Sequence, residues 1–259
     1  MNTLNFTPRY AESRALVIGI NDYKHVSKLH YATNDAKAVA EVLQSKFGFS
    51  EDRIMLLLDE DATKVAILEA FLSYSSSGVD DRVIVFFAGH GHTVTSSRGE
   101  VGYLVPVDAS PENLASLIRW DDLTRNADLI PAKHIFFVMD ACYGGLAFLR
   151  QPQFGSVRFL KDMLQRVARQ VLSSGKANEP VSDGNGRRPN HSIFTSYLLD
   201  ALDGKAATAE GTITASSVMA YVYEHVGKDQ YSRQTPHHGH IARSGRIVDT
   251  TYFLPDWAD

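Results

Sequence analysis

The run RVIVFFAGHGH (residues 82–92) decides the fold. Its first eight positions form a nearly unbroken apolar stretch rather than an in–out alternation, which is the pattern of a strand covered on both faces. A second run, HIFFVMDACYGG (134–145), repeats the design, with apolar residues followed by an abrupt change to Asp140, Cys142, Gly144 and Gly145. Upstream, Val17 to Ile20 in RALVIGIND and the stretch RIMLLLD (53–59) read as two more buried strands. Between them, NDAKAVAEVLQSKFGF (34–49) places Ala38, Val39, Val42 and Leu43 at helical spacing. Asn34 and Asp35 precede that helix and Gly48 closes it. ATKVAILEAFLSYSS (62–76) and WDDLTRNADLI (120–130) read as helices, and VGYLVPVD (101–108) as a short strand. Strands and helices therefore alternate with short connections. The expected fold is α/β, a three-layer sandwich whose mostly parallel sheet of about six strands has helices on both faces.

The second half is less regular. Residues 151–175 predict a short helix and then a strand near 168–173, followed by a polar loop over 176–191. SIFTSYLLDAL (192–202) is a helix, and GTITASSVMAYVYEHVGKD (211–229) an extended piece followed by a helix from Ser216 or Ser217. SRQTPHHGH (232–240) reads as a loop and GRIVDTTYFL (245–254) as a last strand. No repeat or interdomain linker stands out, so residues 1–259 are read as one domain.

Composition narrows the class. Among 259 residues, 26 Lys and Arg nearly balance 30 Asp and Glu, so nothing points to nucleic acid as the main partner. A single cysteine excludes a disulfide scaffold and a thiolate zinc cluster. No basic-then-apolar leader opens the chain, and no apolar run nears the ~18 residues of a membrane span. The expectation is a soluble, cytoplasmic protein without a membrane partner.

In a parallel sheet the reactive crevice lies outside the carboxyl ends of the strands. Three features fall there: His90 between Gly89 and Gly91, Asp140 with Cys142, and the segment VLSSGKANEPVSD (171–183). A thiol with an ordinary pKa near ~8.5 needs a base beside it to attack a carbonyl, and the resulting oxyanion needs aimed N–H donors. His90 can be base and then acid. The Gly91 and Cys142 N–H groups are the natural oxyanion donors. A buried cysteine is ordinarily just a small hydrophobe, and a histidine at a strand end is ordinarily structural. What favours chemistry is that the chain's one cysteine and a Gly-flanked histidine land on the same edge.

These residues resemble the caspase-like cysteine peptidases, nearer to metacaspases and prokaryotic caspase homologues than to animal caspases. The family signature is Gln-Ala-Cys-X-Gly with a histidine about 50 residues upstream. Here the segment is Asp140-Ala141-Cys142-Tyr143-Gly144, and Cys142 follows His90 by 52 positions. RALVIGINDY (14–23), NDAKAVAEVLQSKFGF (34–49), GYLVPVD (102–108), IFTSYLLDALDG (193–204) and QTP (234–236) are similar to other segments of the family. The resemblance implies a large-subunit-like part over about 1–150 and a small-subunit-like part over about 165–259. It implies a Cys142–His90 dyad, an oxyanion hole at Gly91 and Cys142, and peptide hydrolysis through an acyl-enzyme thioester. The partner would be a protein or peptide substrate; monomer and dimer both stay open.

The departure from the signature is Asp140 in place of Gln. In the family this position lines the pocket for the residue before the scissile bond. An anionic Asp140 would repel a carboxylate and pair with Arg or Lys, and metacaspases with Asp here cleave after basic residues. Otherwise Asp140 caps the following turn. Asp183 or Glu179 could add a second acidic wall. Some metacaspases bind calcium through acidic residues between His and Cys, where Asp108, Asp121 and Asp122 fall. No acidic residue follows Cys142 closely as that site uses, and Asp121-Asp122 also suits a helix start. No cofactor is required; calcium is the one metal option. His237, His238 and His240, like His90 with His92, read as polar loop residues rather than a zinc site, and His92 as a rim residue. Arg150, Lys161, Arg166 and Arg169 are candidate self-cleavage points. Two rivals share the fold: a catalytically silent interaction module and a protease of non-basic specificity. A nucleotide-binding protein would want a Gly-rich loop after the first strand, and only Gly19 is there.

Overall fold

The computed structural model describes residues 10–97, 99–143, 168–176, 183–209, 211–241 and 252–253. The first half runs β1 (Ser13–Gly19), α1 (Ala32–Phe47), β2 (Ile54–Leu58), α2 (Lys64–Ser73) and β3 (Arg82–Ala88). A separate antiparallel trio follows, β4 (Gly91–Ser96), β5 (Gly99–Leu104) and β6 (Ile118–Arg119), and then α3 (Trp120–Asn126). The second half runs β7 (His134–Tyr143), β8 (Ala168–Lys176), α4 (Ile193–Asp200), β9 (Ile213–Thr214), α5 (Ala215–Lys228), β10 (His237–His240) and β11 (Tyr252–Phe253).

Six strands form the main sheet in the order β10-β8-β7-β3-β1-β2. All pairings are parallel except the antiparallel edge strand β10. Every residue of β3 is buried, as its apolar run requires in a covered central strand. Alternate side chains feed two apolar layers. Val17, Phe86, Phe136 and Val138 pack with α1, α4 and α5; Ile18, Phe87, Phe137 and Met139 pack with α2 and α3. This is the expected three-layer α/β sandwich.

Several local readings change. Residues 91–96, unassigned in the sequence, are strand β4, which turns back on β5 as a hairpin outside the main sheet. The tail of the supposed loop at 232–240 is β10. Its His and Gly residues carry no strand signal, and it joins the edge through antiparallel backbone pairing with β8. Helix α1 begins at Ala32, so Asn34 and Asp35 lie inside its first turn. Helix α5 begins at Ala215, one residue before the expected start, because Thr214 and Ser217 form a reciprocal capping box. Of the expected last strand at 245–254, Tyr252–Phe253 pairs with β9 rather than the main sheet, and the rest lies outside the described residues. So do Gly144, Gly145, Arg150, Lys161, Arg166, Glu179 and the helix expected before β8. Arg169 is no cleavage point: it is buried on β8, and its guanidinium donates to the carbonyls of Ile130, Lys133 and Ala168.

Candidate active site

The 52-residue spacing of His90 and Cys142 is the register of the sheet. Strands β3 and β7 pair with that same offset from Arg82 opposite His134 to Ala88 opposite Asp140. His90 lies two residues beyond Ala88, and Cys142 two beyond Asp140. The Gly89 N–H donates to the Asp140 carbonyl (3.2 Å), carrying the pairing one step further. The two residues therefore leave adjacent strands at the same carboxyl edge. Cys142 was expected just past its strand; instead β7 continues through it, opposite Gly175 of β8, after a register shift between Met139 and Cys142. Irregularities of this kind recur beside active sites.

His90 is held from the loop after β1. Its backbone N–H donates to the Tyr23 hydroxyl (2.7 Å), and the two rings lie 4.8 Å apart. Its Nε2 lies 2.8 Å from the Ser27 backbone carbonyl. A carbonyl only accepts, so Nε2 carries hydrogen in this contact and Nδ1 is the basic nitrogen of the neutral ring. Burial pushes the Tyr23 phenol far above its ordinary range, so it stays protonated. A methyl group on Gly89 would sit 2.4 Å from the Tyr23 hydroxyl oxygen, so only glycine leaves room for this support. Gly91 opens β4 and lines the same pocket as His90. His92, on β4, pairs with Tyr103 of β5, and their rings lie 6.4 Å apart.

That pocket, about 200 Å³, is lined by His90, Gly91, Leu29 and Ser192 and by three carboxylates, Asp35, Asp140 and Asp183. Asp140 is 3% exposed. One carboxylate oxygen accepts from the Ser192 hydroxyl and, at 2.8 Å, from the Thr195 hydroxyl; the other has no hydrogen bond. Burial, reinforced by the charge of Asp35, pushes the Asp140 carboxyl up to about 7, against the pull of the Ser192, Thr195 and Ser174 hydroxyls. The turn-cap reading of Asp140 gives way to these tertiary contacts. Asp183 accepts from the backbone N–H groups of His30 and Tyr31, which ties the loop before α4 to the loop before α1.

Asp35 escaped the sequence reading. Its carboxylate is buried against the His191 Nδ1 at 2.6 Å, and both oxygens lie 3.3–3.4 Å from the Ser192 N–H. Burial raises its pKa and His191 opposes that rise. Ser192 was missed too. It is the N-cap of α4, accepting from the Thr195 N–H, and its hydroxyl also reaches Asp140.

Two of the calcium candidates make local contacts. Asp108 accepts from the Lys64 N–H at the start of α2 (3.1 Å), and Asp121 pairs with Arg119 (2.6 Å). Among the described residues, no group of three or more His, Cys, Asp or Glu is placed to hold a metal ion. No helix among the described residues is long and apolar enough to cross a membrane.

The family model for the caspase domain matches residues 12–240. The chain belongs to the caspase-domain family. Over 233 residues it is 31% identical to Metacaspase-6 of Arabidopsis thaliana, covering 83% of this chain and 58% of that one. Metacaspase III c of Phaeodactylum tricornutum is 33% identical over 148 residues, covering 51% and 42%. The chain thus spans about half the length of the curated relatives it matches. A solved protein of Geobacter sulfurreducens shares the fold, with a TM-score of 0.63 at 17% identity over 90% of this chain and 94% of that one. In this caspase domain, the His90 and Cys142 segments follow from the paired strands β3 and β7 at one carboxyl edge of the sheet.

Proposed function

We propose that this caspase domain is a cysteine endopeptidase that cleaves after Arg or Lys through a Cys142–His90 dyad. One observation carries the specificity: three carboxylates line a single pocket that also contains His90. A guanidinium or ammonium group entering it would be drawn to the Asp140 and Asp35 carboxylates, whereas a substrate carboxylate would be repelled.

In the chemistry this arrangement supports, His90 Nδ1 takes the Cys142 thiol proton and the sulfur attacks the scissile carbonyl carbon. Negative charge on the carbonyl oxygen is met by the N–H groups of Gly91 and Cys142. Collapse of the tetrahedral species expels the amine, which takes its proton from His90, and leaves a thioester on Cys142. Water, deprotonated by His90, then hydrolyses the thioester and regenerates the thiol. The Ser27 carbonyl holds Nε2–H, so Nδ1 stays the working nitrogen through both halves. Asp183 fits a wall of the pocket.

Covalent trapping tests the reading. Incubation with a peptidyl-arginine chloromethyl ketone should add one inhibitor mass, mapped to Cys142, much faster than the leucine analogue does. Alkylation at equal rates by both reagents, or at other residues, would contradict it.

A further inference from the structure

The pocket contains a contact that substrate recognition alone does not require. Asp35 and Asp140 are both buried, close enough for the charge of one to raise the pKa of the other, and both touch Ser192. Two adjacent buried carboxylates cannot both hold a charge cheaply. His191 lies against Asp35 alone, on the side of that carboxylate served by the loop leading into α4. Its side chain is 18% exposed and that of Asp35 is 2%. The nearby guanidinium groups are engaged elsewhere: Arg188 with Asp200 and Asp203, and Arg187 facing Asp200.

We infer that His191 is a positioning residue for the pocket: through its 2.6 Å contact it fixes the Asp35 carboxylate beside Asp140 and so sets the affinity for a basic side chain. The inference rests on the pocket being the site for that side chain. Without the imidazole, Asp35 keeps only Ser192, through its N–H and its hydroxyl, which Asp140 shares, and a buried carboxylate so partnered takes up a proton more readily. The pocket then offers an incoming cation one anion fewer. With His191 in place, the imidazole opposes the rise that burial imposes on Asp35, and Asp140 presents a second oxygen without a hydrogen bond. Binding of the cation favours loss of any proton the pair holds.

The titratable groups around the Asp35–Asp140 pair are His191 and Asp183 from the loop before α4, His30 from the loop before α1 and His90 after β3. His90 and Cys142 act on every substrate, so the informative quantity is a ratio. It is kcat/KM for a peptide ending in Arg divided by that for the same peptide ending in citrulline, which has the same shape without the charge.

The experiment measures this ratio from pH 5.5 to 9 for the wild type, His191→Leu and His191→Asn. Asn places an uncharged N–H near the position of Nδ1. The Arg-over-citrulline ratio should fall about tenfold or more in His191→Leu, through KM rather than kcat, with partial rescue in His191→Asn. The pH at which the ratio rises should move upward in both variants, further in Leu. A ratio and midpoint unchanged in His191→Asn, or equal losses on both peptides in either variant, would overturn the role of His191. A wild type that does not prefer Arg over citrulline would instead overturn the pocket itself. Should His191→Leu fail to fold, His191→Asn decides alone.

Discussion

Asp140 combines a recognition role with an energetic penalty. Its folded pKa of about 7 lies above the ordinary carboxylate value of 3.8. Below pH ~4 the group is protonated in both states and contributes nothing to the pH dependence. Between there and about 7 the unfolded chain releases its proton and the folded one does not, so this group lowers stability as pH rises, with no further loss above. Asp140→Asn should therefore raise the melting temperature at pH 8 more than at pH 5 in thermal unfolding scans, while cleavage after Arg falls at least a hundredfold. A gain equal at both pH values would remove burial as the cause of the shift. Gly89→Ala should lower kcat tenfold or more with little change in KM, since the new methyl displaces the Tyr23 hydroxyl that holds His90; steady-state kinetics would show the split. At this scale the positions of His90, Cys142 and Asp140 at the ends of β3 and β7 were legible because each follows an apolar run that changes character abruptly. Asp35 was not, because an acid in the first turn of a helix has a sufficient local explanation, and only the tertiary fold turns it into the pocket.

Elements meet the site through their ends. The start of α1 lies so close to the end of β1 that a methyl on Gly19 would sit 2.5 Å from the Ala32 carbonyl oxygen and 2.7 Å from the Ala36 Cβ. Gly19→Ala must therefore push the first turn of α1, and Asp35 with it, away from Asp140. The expected result is a protein of lower melting temperature whose preference for Arg over Leu is also reduced. Loss of stability with the preference intact would detach α1 from the pocket. Strands β3 and β7 could be read because covered strands are apolar throughout. Strands β4 and β10 could not. Gly91–Ser96 is mostly half-exposed and polar, and His237–His240 owes its conformation to its partner rather than to its side chains.

On the scale of the whole molecule, the alternation of apolar strands with amphipathic helices carried the architecture, and the two apolar layers stabilise it. Phe137 is fully buried between Phe71 and Trp120, at ring distances of 5.9 and 5.4 Å. Phe137→Ala should destabilise the fold by roughly 3–5 kcal/mol in urea titrations. The same sheet sets the spacing of the reacting pair, since the register that fixes Ala88 opposite Asp140 also brings His90 and Cys142 to one edge. The most direct test of the account is a cleavage profile over fluorogenic peptides that differ only in the residue before the scissile bond, run with the wild type, Cys142→Ala and Asp140→Asn. The account predicts that the wild type cleaves after Arg and Lys and leaves Asp and Leu peptides intact, that Cys142→Ala cleaves none, and that Asp140→Asn loses the basic preference. Cleavage after Arg that survives in Cys142→Ala, or a basic preference unchanged in Asp140→Asn, would contradict it.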